Sequence, residues 1–400
     1  MTETSSSIAL TFALCICGFL SLVSATLGAG AIVRFGFPLP NEKVRISCID
    51  GLRGYLALSV MVYHFILWIE VTRLGGDWSR PKMAFFDSLG PGSVNLFFMT
   101  TGFVFYPRIL GGLRGANWRA IYISRVFRIM PLLIVSVIAV SAVILRRINL
   151  QPTQHLELNL VNLFRWIVCW DEPSLFGYRD SARVNAGVLW SLGFEWQFYL
   201  FVLPVCTAAM TLRGRAPTWC IPVTLIVVSM TLRPLHTLAL ITYLPLFGAG
   251  MIAFELKERE EIAAFLSTRA ASAVALAFFI AGSVLFNGAI RLLCHVMFFT
   301  CVACGTSIWG LLRTSAARAL GELSYGIYLL HGLVLNIVFV DLSQMIVGVP
   351  AEGIAALMPV VAAATVLLSA STFLLAERPF INIGKLVGRK RRSQHCARLK

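Results

Sequence analysis

Apolar stretches of membrane-spanning length recur along the whole chain, separated by short polar connections. Their lengths and flanks predict a first helix over Ile8–Val33. Ten more follow over Leu52–Ile69, Phe85–Phe105, Ile129–Leu145, Val188–Met210, Thr218–Leu232, Thr237–Phe254, Ala270–Phe286, Leu292–Leu312, Leu323–Val340 and Leu357–Ala376. The fold expected is an all-α polytopic integral membrane protein, with about ten core transmembrane helices plus one extra N-terminal hydrophobic helix. Residues 49–380 hold the membrane domain, 1–48 an N-terminal hydrophobic segment and linker, and 381–400 a basic tail. No appended soluble domain and no internal repeat is visible.

Composition agrees. Hydrophobic residues make up 58% and charged residues 13%, with a mean hydropathy of +0.80. A soluble domain carries roughly a quarter charged residues. The net charge of +15 would suggest nucleic acid in a soluble protein. Here no basic domain with interleaved aromatics exists, so nucleic acid is not an expected partner and the lipid bilayer is. If the segments alternate, most Lys and Arg fall on one side, including Arg53, Arg108, Arg114, Arg125, Arg128 and the tail. The positive-inside rule makes that side, and the C-terminus, cytoplasmic. The long Arg146–Gly187 loop then faces out, with an interfacial piece at Leu158–Trp170.

The first segment reads as a retained helix or a cleaved signal. Met1–Ser7 carries Glu3 and no Lys or Arg, which favours retention. The cysteines form no framework. Cys301 and Cys304 make a CxxC inside a span, which reads as packing, and no metal site is expected.

Ionisable residues inside a bilayer are costly, so each is a functional candidate. His64, Glu195, His295 and His331 stand out, with Arg53 at a helix entrance. Arg53 and His64 are eleven residues apart, which places them on one helix face about 16 Å apart. A cation at the mouth suits an anionic donor, and a buried neutral imidazole suits a base. The bland alternative is a snorkelling arginine and a packing histidine. Ser191, Glu195 and Tyr199 repeat at i, i+4 and i+8, as one polar stripe that is either structural or catalytic. Ser324, Tyr328 and His331 share a face that lines the same cavity or packs. His295 lacks polar companions and reads as structural, as do His155, His236 and His395 in connections. Arg125 and Arg128 form an RxxR beside the membrane, and guanidinium forks match phosphate geometry.

Six stretches in order resemble the family-three membrane acyltransferases, bacterial enzymes with eukaryotic relatives that O-acylate sugars and other acceptors. They are Ile49–Gly54 with His64, the Ser93–Phe103 block containing Asn95, Arg125-x-x-Arg128 with Pro131, Trp190–Tyr199, Gly321–His331, and Glu377-Arg378-Pro379. The resemblance implies acyl-CoA, usually acetyl-CoA, as a cytoplasmic co-substrate, and a carbohydrate acceptor in the cell envelope or secreted. It implies His64 as essential base with Arg53 its companion, and Arg125 and Arg128 as donor ligands. Placement in the bacterial inner membrane follows from the same resemblance. Glu195 is expected to orient reacting groups, and Asn95, Ser191, Tyr199, Tyr328 and His331 to contact substrate. Asn95 stands where the family often has Asp. The rival class is a proton-coupled secondary transporter, for which sparse intramembrane His and Glu would also serve. A third reading is a membrane scaffold for a polysaccharide-assembly complex.

Overall fold

The computed structural model describes residues 2–39, 47–232, 239–285 and 288–387. Lys43, Arg45, Arg233, His236 and the tail from 388 onwards, with His395, lie outside the described residues, as do two expected helix ends, Thr237 and Phe286. Each of the expected segments is a helix. They are α1 (Thr2–Arg34), α2 (Ser47–Arg73), α3 (Ala84–Leu110), α4 (Trp118–Arg147) and, after the peripheral α5 (Leu156–Ile167), α6 (Leu189–Leu212). Then come α7 (Cys220–Leu232), α8 (Ala239–Lys257), α9 (Arg269–Val284), α10 (Gly288–Ala303), α11 (Ser315–Asp341) and α12 (Ala351–Val387).

Seven of the described helices, α1, α2, α4, α6, α8, α11 and α12, are long and apolar enough to cross a membrane unaided. Helix α9 meets the preceding Glu260–Leu266 helix at a 78° bend, and α7 and α10 are shorter. Large apolar side chains face outward, as a lipid-solvated bundle requires: on α1, Phe12, Phe19 and Leu27 are all exposed. The opposite face of α1 is small, with Ser21, Ala25 and Ala29 buried. Ser24 Oγ donates to the Pro359 carbonyl of α12 at 2.9 Å, and Thr26 meets Tyr55 of α2 at 3.1 Å. The N-terminal segment is thus packed into the bundle.

Three boundaries differ from expectation. The first is that α4 begins at Trp118, well before the expected Ile129, and so carries Arg125 and Arg128 within the helix. The span expected to reach Leu312 stops as helix at Ala303. Gly305 adopts φ +119° there and the chain turns, with Thr306 N–H donating to the Cys301 carbonyl. Leu312 instead lies inside a short 3-10 turn, Leu311–Arg313, and its carbonyl is pressed against Gly51. At the other end of the chain, α12 stays helical through Val387, so the first residues assigned to the basic tail belong to the last helix.

The interfacial piece is real as a helix but shorter, Leu156–Ile167, and its amphipathicity is turned inside out relative to a soluble helix. Asn159, Asn162 and Trp166 are buried, while Leu160 and Phe164 are exposed. The buried polar groups stitch down the following loop. Asn162 Nδ2 donates to the Ser174 carbonyl, Trp166 Nε1 to the Pro173 carbonyl, and Phe176 N–H to Asn159 Oδ1. An outward apolar face suits the membrane interface.

The centre of the bundle is the pair α2 and α11, which run parallel. Their contacts climb in step: Asp50 with Gly321, Gly54 with Leu320, Phe65 and Trp68 with Phe339, and Arg73 Nη2 with the Ile346 carbonyl just beyond α11. Without a hydrophobic force between helices in lipid, small residues that let backbones touch hold such pairs together. A Cβ on Gly321 would lie 2.0 Å from the Asp50 carbonyl oxygen, and one on Gly54 2.5 Å from Leu320 Cβ. The α3–α8 pair uses the same device: a Cβ on Gly102 would meet the Phe247 carbonyl at 2.1 Å, and one on Gly250 the Met99 carbonyl at 1.9 Å. At the opposite end of α11, Asp341 binds Arg146 and Arg147 of α4, Arg147 at 2.7 Å, and Arg147 also reaches Asn336 at 2.6 Å.

Gly321→Ala should therefore destabilise the bundle by about 1–3 kcal/mol or more, the usual cost of overpacking. Thermal unfolding in detergent checks this, with Gly115→Ala as the control, since nothing lies within 4 Å of a Cβ there. Equal melting temperatures for the two variants would contradict the close-packing account.

Candidate functional site

Helices α2, α3, α4, α6 and α11 surround a cavity of about 430 Å³. Its polar wall is Asp50 and Arg53 from α2, Arg125 and Arg128 from α4, and Glu195 with Tyr199 from α6. Its apolar wall includes Val94, Phe97, Phe98 and Leu192. Ser191 and Tyr328 line it too, and their hydroxyls meet at 2.7 Å.

The cations are held individually. Arg128 pairs with Glu322 at 3.6 Å. Glu377, fully buried, interacts electrostatically with Arg128 and Arg53. Arg125 lies over the rings of Phe105 at 5.4 Å and Tyr199 at 5.9 Å, and Arg108 stacks on Phe105 at 4.7 Å. Such cation–π contacts favour a desolvated guanidinium. RxxR thus serves two ends: Arg128 is salt-bridged while Arg125 rests on aromatic faces, and both line the cavity.

Glu195 accepts a hydrogen bond from the Tyr199 hydroxyl, one turn on along α6. Tyr199 falls in a π turn, Phe198–Val202, and its carbonyl accepts from the Tyr122 hydroxyl at 3.0 Å. Glu377 closes another π turn, Phe373–Glu377. Single π turns of this kind recur at functional sites.

His64 and His331 do not line the cavity. They lie past Tyr328, whose ring is 6.1 Å from that of His331. His331 Nε2 is 3.0 Å from His64 Nδ1, and each imidazole Nδ1 also reaches the carbonyl four residues back, Val60 at 3.0 Å and Ile327 at 3.1 Å. The pairing follows from the parallel register. Ten positions on from Gly54 is His64, and ten on from Gly321 is His331. Ten residues rise about 15 Å, so a register fixed at the glycines sets both imidazoles at one height along the pair. On its other side His64 stacks near-parallel with Trp78 at 6.3 Å, and the Arg183 guanidinium lies 5.3 Å from the Trp78 ring.

Most of the expected residues converge. Arg53, Arg125, Arg128, Glu195, Ser191, Tyr199 and Tyr328 share one cavity. His331, expected to line that cavity or merely to pack, is instead buried against His64. Asn95 is not part of the wall, although α3 lines the cavity at positions from Val94 through Phe97, Phe98 and Thr101 to Pro107. Glu195 engages Tyr199, one turn on along its own helix, rather than either histidine. His295 is buried with neither ring nitrogen hydrogen-bonded, packed on Gly92 and stacked on Phe279, in line with a packing role. Among the described residues no cluster of His, Cys, Asp or Glu could hold a metal.

Sequence reasoning missed Tyr325, Glu322 and Glu377. Tyr325 lines the cavity and donates to the Ile129 carbonyl at 2.7 Å. Glu322 and Glu377 lie inside the Gly321–His331 and Glu377–Pro379 motifs, so a search for counter-charges to Arg128 within those motifs would have found both.

Arginines at one wall of a buried cavity and paired imidazoles beyond another are the equipment of an intramembrane group-transfer enzyme. The family model described as an acyltransferase domain matches residues 46–374, most of the chain, and the chain belongs to that family. It is a membrane acyltransferase. No curated protein matches the chain, and no solved structure does.

The helix carrying Ser191 and Glu195 is anchored from outside the spans. The Leu189 N–H at its start donates to Glu172 in the preceding loop, whose other carboxylate oxygen is buried without a partner. Burial pushes the Glu172 carboxyl up to about 8, with Asp171 adding to the rise and the Leu189 bond opposing it. A carboxyl raised in the folded state contributes most at low pH and loses its contribution as pH climbs through its folded value. The wild-type melting temperature should thus fall between about pH 5 and pH 9, and Glu172→Gln should flatten that fall. Differential scanning fluorimetry at both pH values checks it, and parallel slopes would contradict the assignment.

Proposed function

We propose that this chain moves an acyl group, acetyl being the expected one, from acyl-CoA to a hydroxyl of a cell-envelope or secreted carbohydrate. The observation that carries this reading is the line from the arginines through Tyr328 to His331 and His64. The end of the bundle near Arg53 faces the cytoplasm of a bacterial inner membrane, which the Arg-rich connections at that end support.

Donor phosphates dock at Arg53, Arg125 and Arg128, whose forks suit phosphoryl oxygens. A cavity of this volume suits a drug-sized ligand, so the slender acyl-bearing arm enters and the nucleotide stays at the mouth. His64 removes the proton of the acceptor hydroxyl as its oxygen attacks the thioester carbon. The carbon–sulfur bond breaks, and the proton passes from His64 to the departing thiolate, giving ester and free thiol. Tyr328, hydrogen-bonded to Ser191 at the cavity wall, sets its ring 6.1 Å from that of His331, between the cavity and the histidine pair. Glu195 holds Tyr199 beneath Arg125 and so shapes the donor site.

The reading is tested in membrane vesicles with labelled acyl-CoA and by mass spectrometry of envelope glycans. His64→Ala should insert normally and cut transfer by about 10²–10⁴-fold, the range of a general base. Full transfer by that variant would refute the assignment. Arg125→Ala should raise the KM for acyl-CoA about tenfold or more, as expected for a lost charge-assisted contact, and leave the acceptor KM unchanged.

A further inference from the structure

His64 needs a lone pair to serve as base, and the backbone around the two histidines decides which nitrogen carries it. We infer that His331 is a positioning residue: it locks His64 in the tautomer protonated at Nδ1 and leaves Nε2 as the basic atom. The role of that atom rests on the acyl transfer proposed above, but the tautomer itself follows from geometry alone.

His331 Nδ1 is 3.1 Å from the Ile327 carbonyl oxygen. A carbonyl only accepts, so this nitrogen bears the hydrogen. In a neutral imidazole the other nitrogen is then an acceptor. That acceptor, Nε2, lies 3.0 Å from His64 Nδ1. The Val60 carbonyl, a second acceptor, lies 3.0 Å from the same atom. Two acceptors converge on His64 Nδ1, so it is an N–H shared between them, and the ring's lone pair sits on Nε2.

The opposite assignment fails at both carbonyls. With His331 protonated at Nε2 alone, nitrogen lone pairs would face the oxygens of both Ile327 and Val60. A doubly protonated His331 would keep its Ile327 bond but still set the His64 Nδ1 lone pair against Val60. It would also leave a cation on a ring with no solvent exposure, in a membrane. In the reaction the hydroxyl proton goes to His64 Nε2 as the oxygen–carbon bond forms. The Nδ1 proton stays shared with His331, which braces the ring through the brief imidazolium. The Nε2 proton then leaves with the thiolate. Functional histidines elsewhere are set by the bond made at their second nitrogen, and for metal-bound histidines losing such a partner costs about 10–100-fold.

Nitrogen NMR of ¹⁵N-histidine-labelled full-length protein in detergent, at neutral pH, reads the tautomer directly. His64, assigned by its loss in His64→Ala, should show a protonated Nδ1 and a bare Nε2. A bare Nδ1 overturns the inference whether or not the chain transfers acyl groups. Kinetics supply the second arm. His331→Phe keeps a ring but no acceptor, and should lower kcat by about 10–100-fold with the acyl-CoA KM unchanged. His331→Gln, which offers an acceptor oxygen, should recover part of that loss. An unchanged kcat in the phenylalanine variant, with a melting temperature equal to wild type, overturns the positioning role. Wild-type transfer by His64→Ala would instead sink the proposed reaction and leave the NMR result standing.

Discussion

Everything in the site depends on two helices touching without side chains between them. Gly54 of α2 and Gly321 of α11 bring backbone against backbone at one end of a parallel pair, with Gly51 against the turn that precedes α11. A helix is a rigid ruler of 1.5 Å per residue. Fixing the axial register at the glycines therefore fixes the height of the histidines, ten positions on in both helices. A one-residue slip would rotate one imidazole by about 100° away from the other. The close contact also turns α2 so that Arg53 looks into the cavity while Gly54, its neighbour, faces α11. One steric fact thus sets the cavity's Arg53 and the height of the imidazole pair at once.

The second constraint is the solvent. In a bilayer each charge needs a counter-charge or a ring face, and the structure supplies both. Arg128 takes Glu322, with Glu377 behind it; Arg125 and Arg108 take Phe105. The resulting division matters for an anionic ligand. A guanidinium resting on an aromatic ring keeps its N–H edge available, whereas a salt-bridged one has committed part of its fork. Arg125 is thereby the better equipped of the RxxR pair to meet phosphate, and Arg128 is the one that ties α4 to α11.

The fold was legible because the membrane enforces a simple code. Apolar runs of spanning length gave all eleven segments, and periodicity within them put Ser191, Glu195 and Tyr199 on one face, all three of which line the cavity, whereas of the Arg53–His64 pair only Arg53 does. The errors fall where that code is silent. Asn95 was assigned by its motif, yet its helix turns Val94 and Phe98 to the cavity instead. The end of α10 was hidden because Leu311 and Leu312 continue an apolar run after the helix has already broken at Gly305. The His64–His331 bond joins residues 267 apart, and nothing local to either marks the other. Only the equal spacing from glycine to histidine in two separate motifs held that information, and spacing has meaning only once the glycines are known to touch.

The choice of partner for His64 can be understood from the same solvent. In soluble hydrolases a catalytic histidine leans on a carboxylate, which orients the ring and steadies the imidazolium that forms. Inside a bilayer that carboxylate would be a further buried charge, costly in the resting state unless paired. A neutral histidine offers the same acceptor geometry without net charge. It orients as well as a carboxylate but steadies the imidazolium less, so the charged state must be short-lived and its charge must be met by the thiolate leaving beside it. That suits the proposed reaction. A thioester is already activated, and an apolar wall of Val94, Phe97, Phe98 and Leu192 keeps water from competing for it. The base needs to be well aimed more than strong, and aim is what a helix register set by glycine, and a proton shared between two imidazoles, provide.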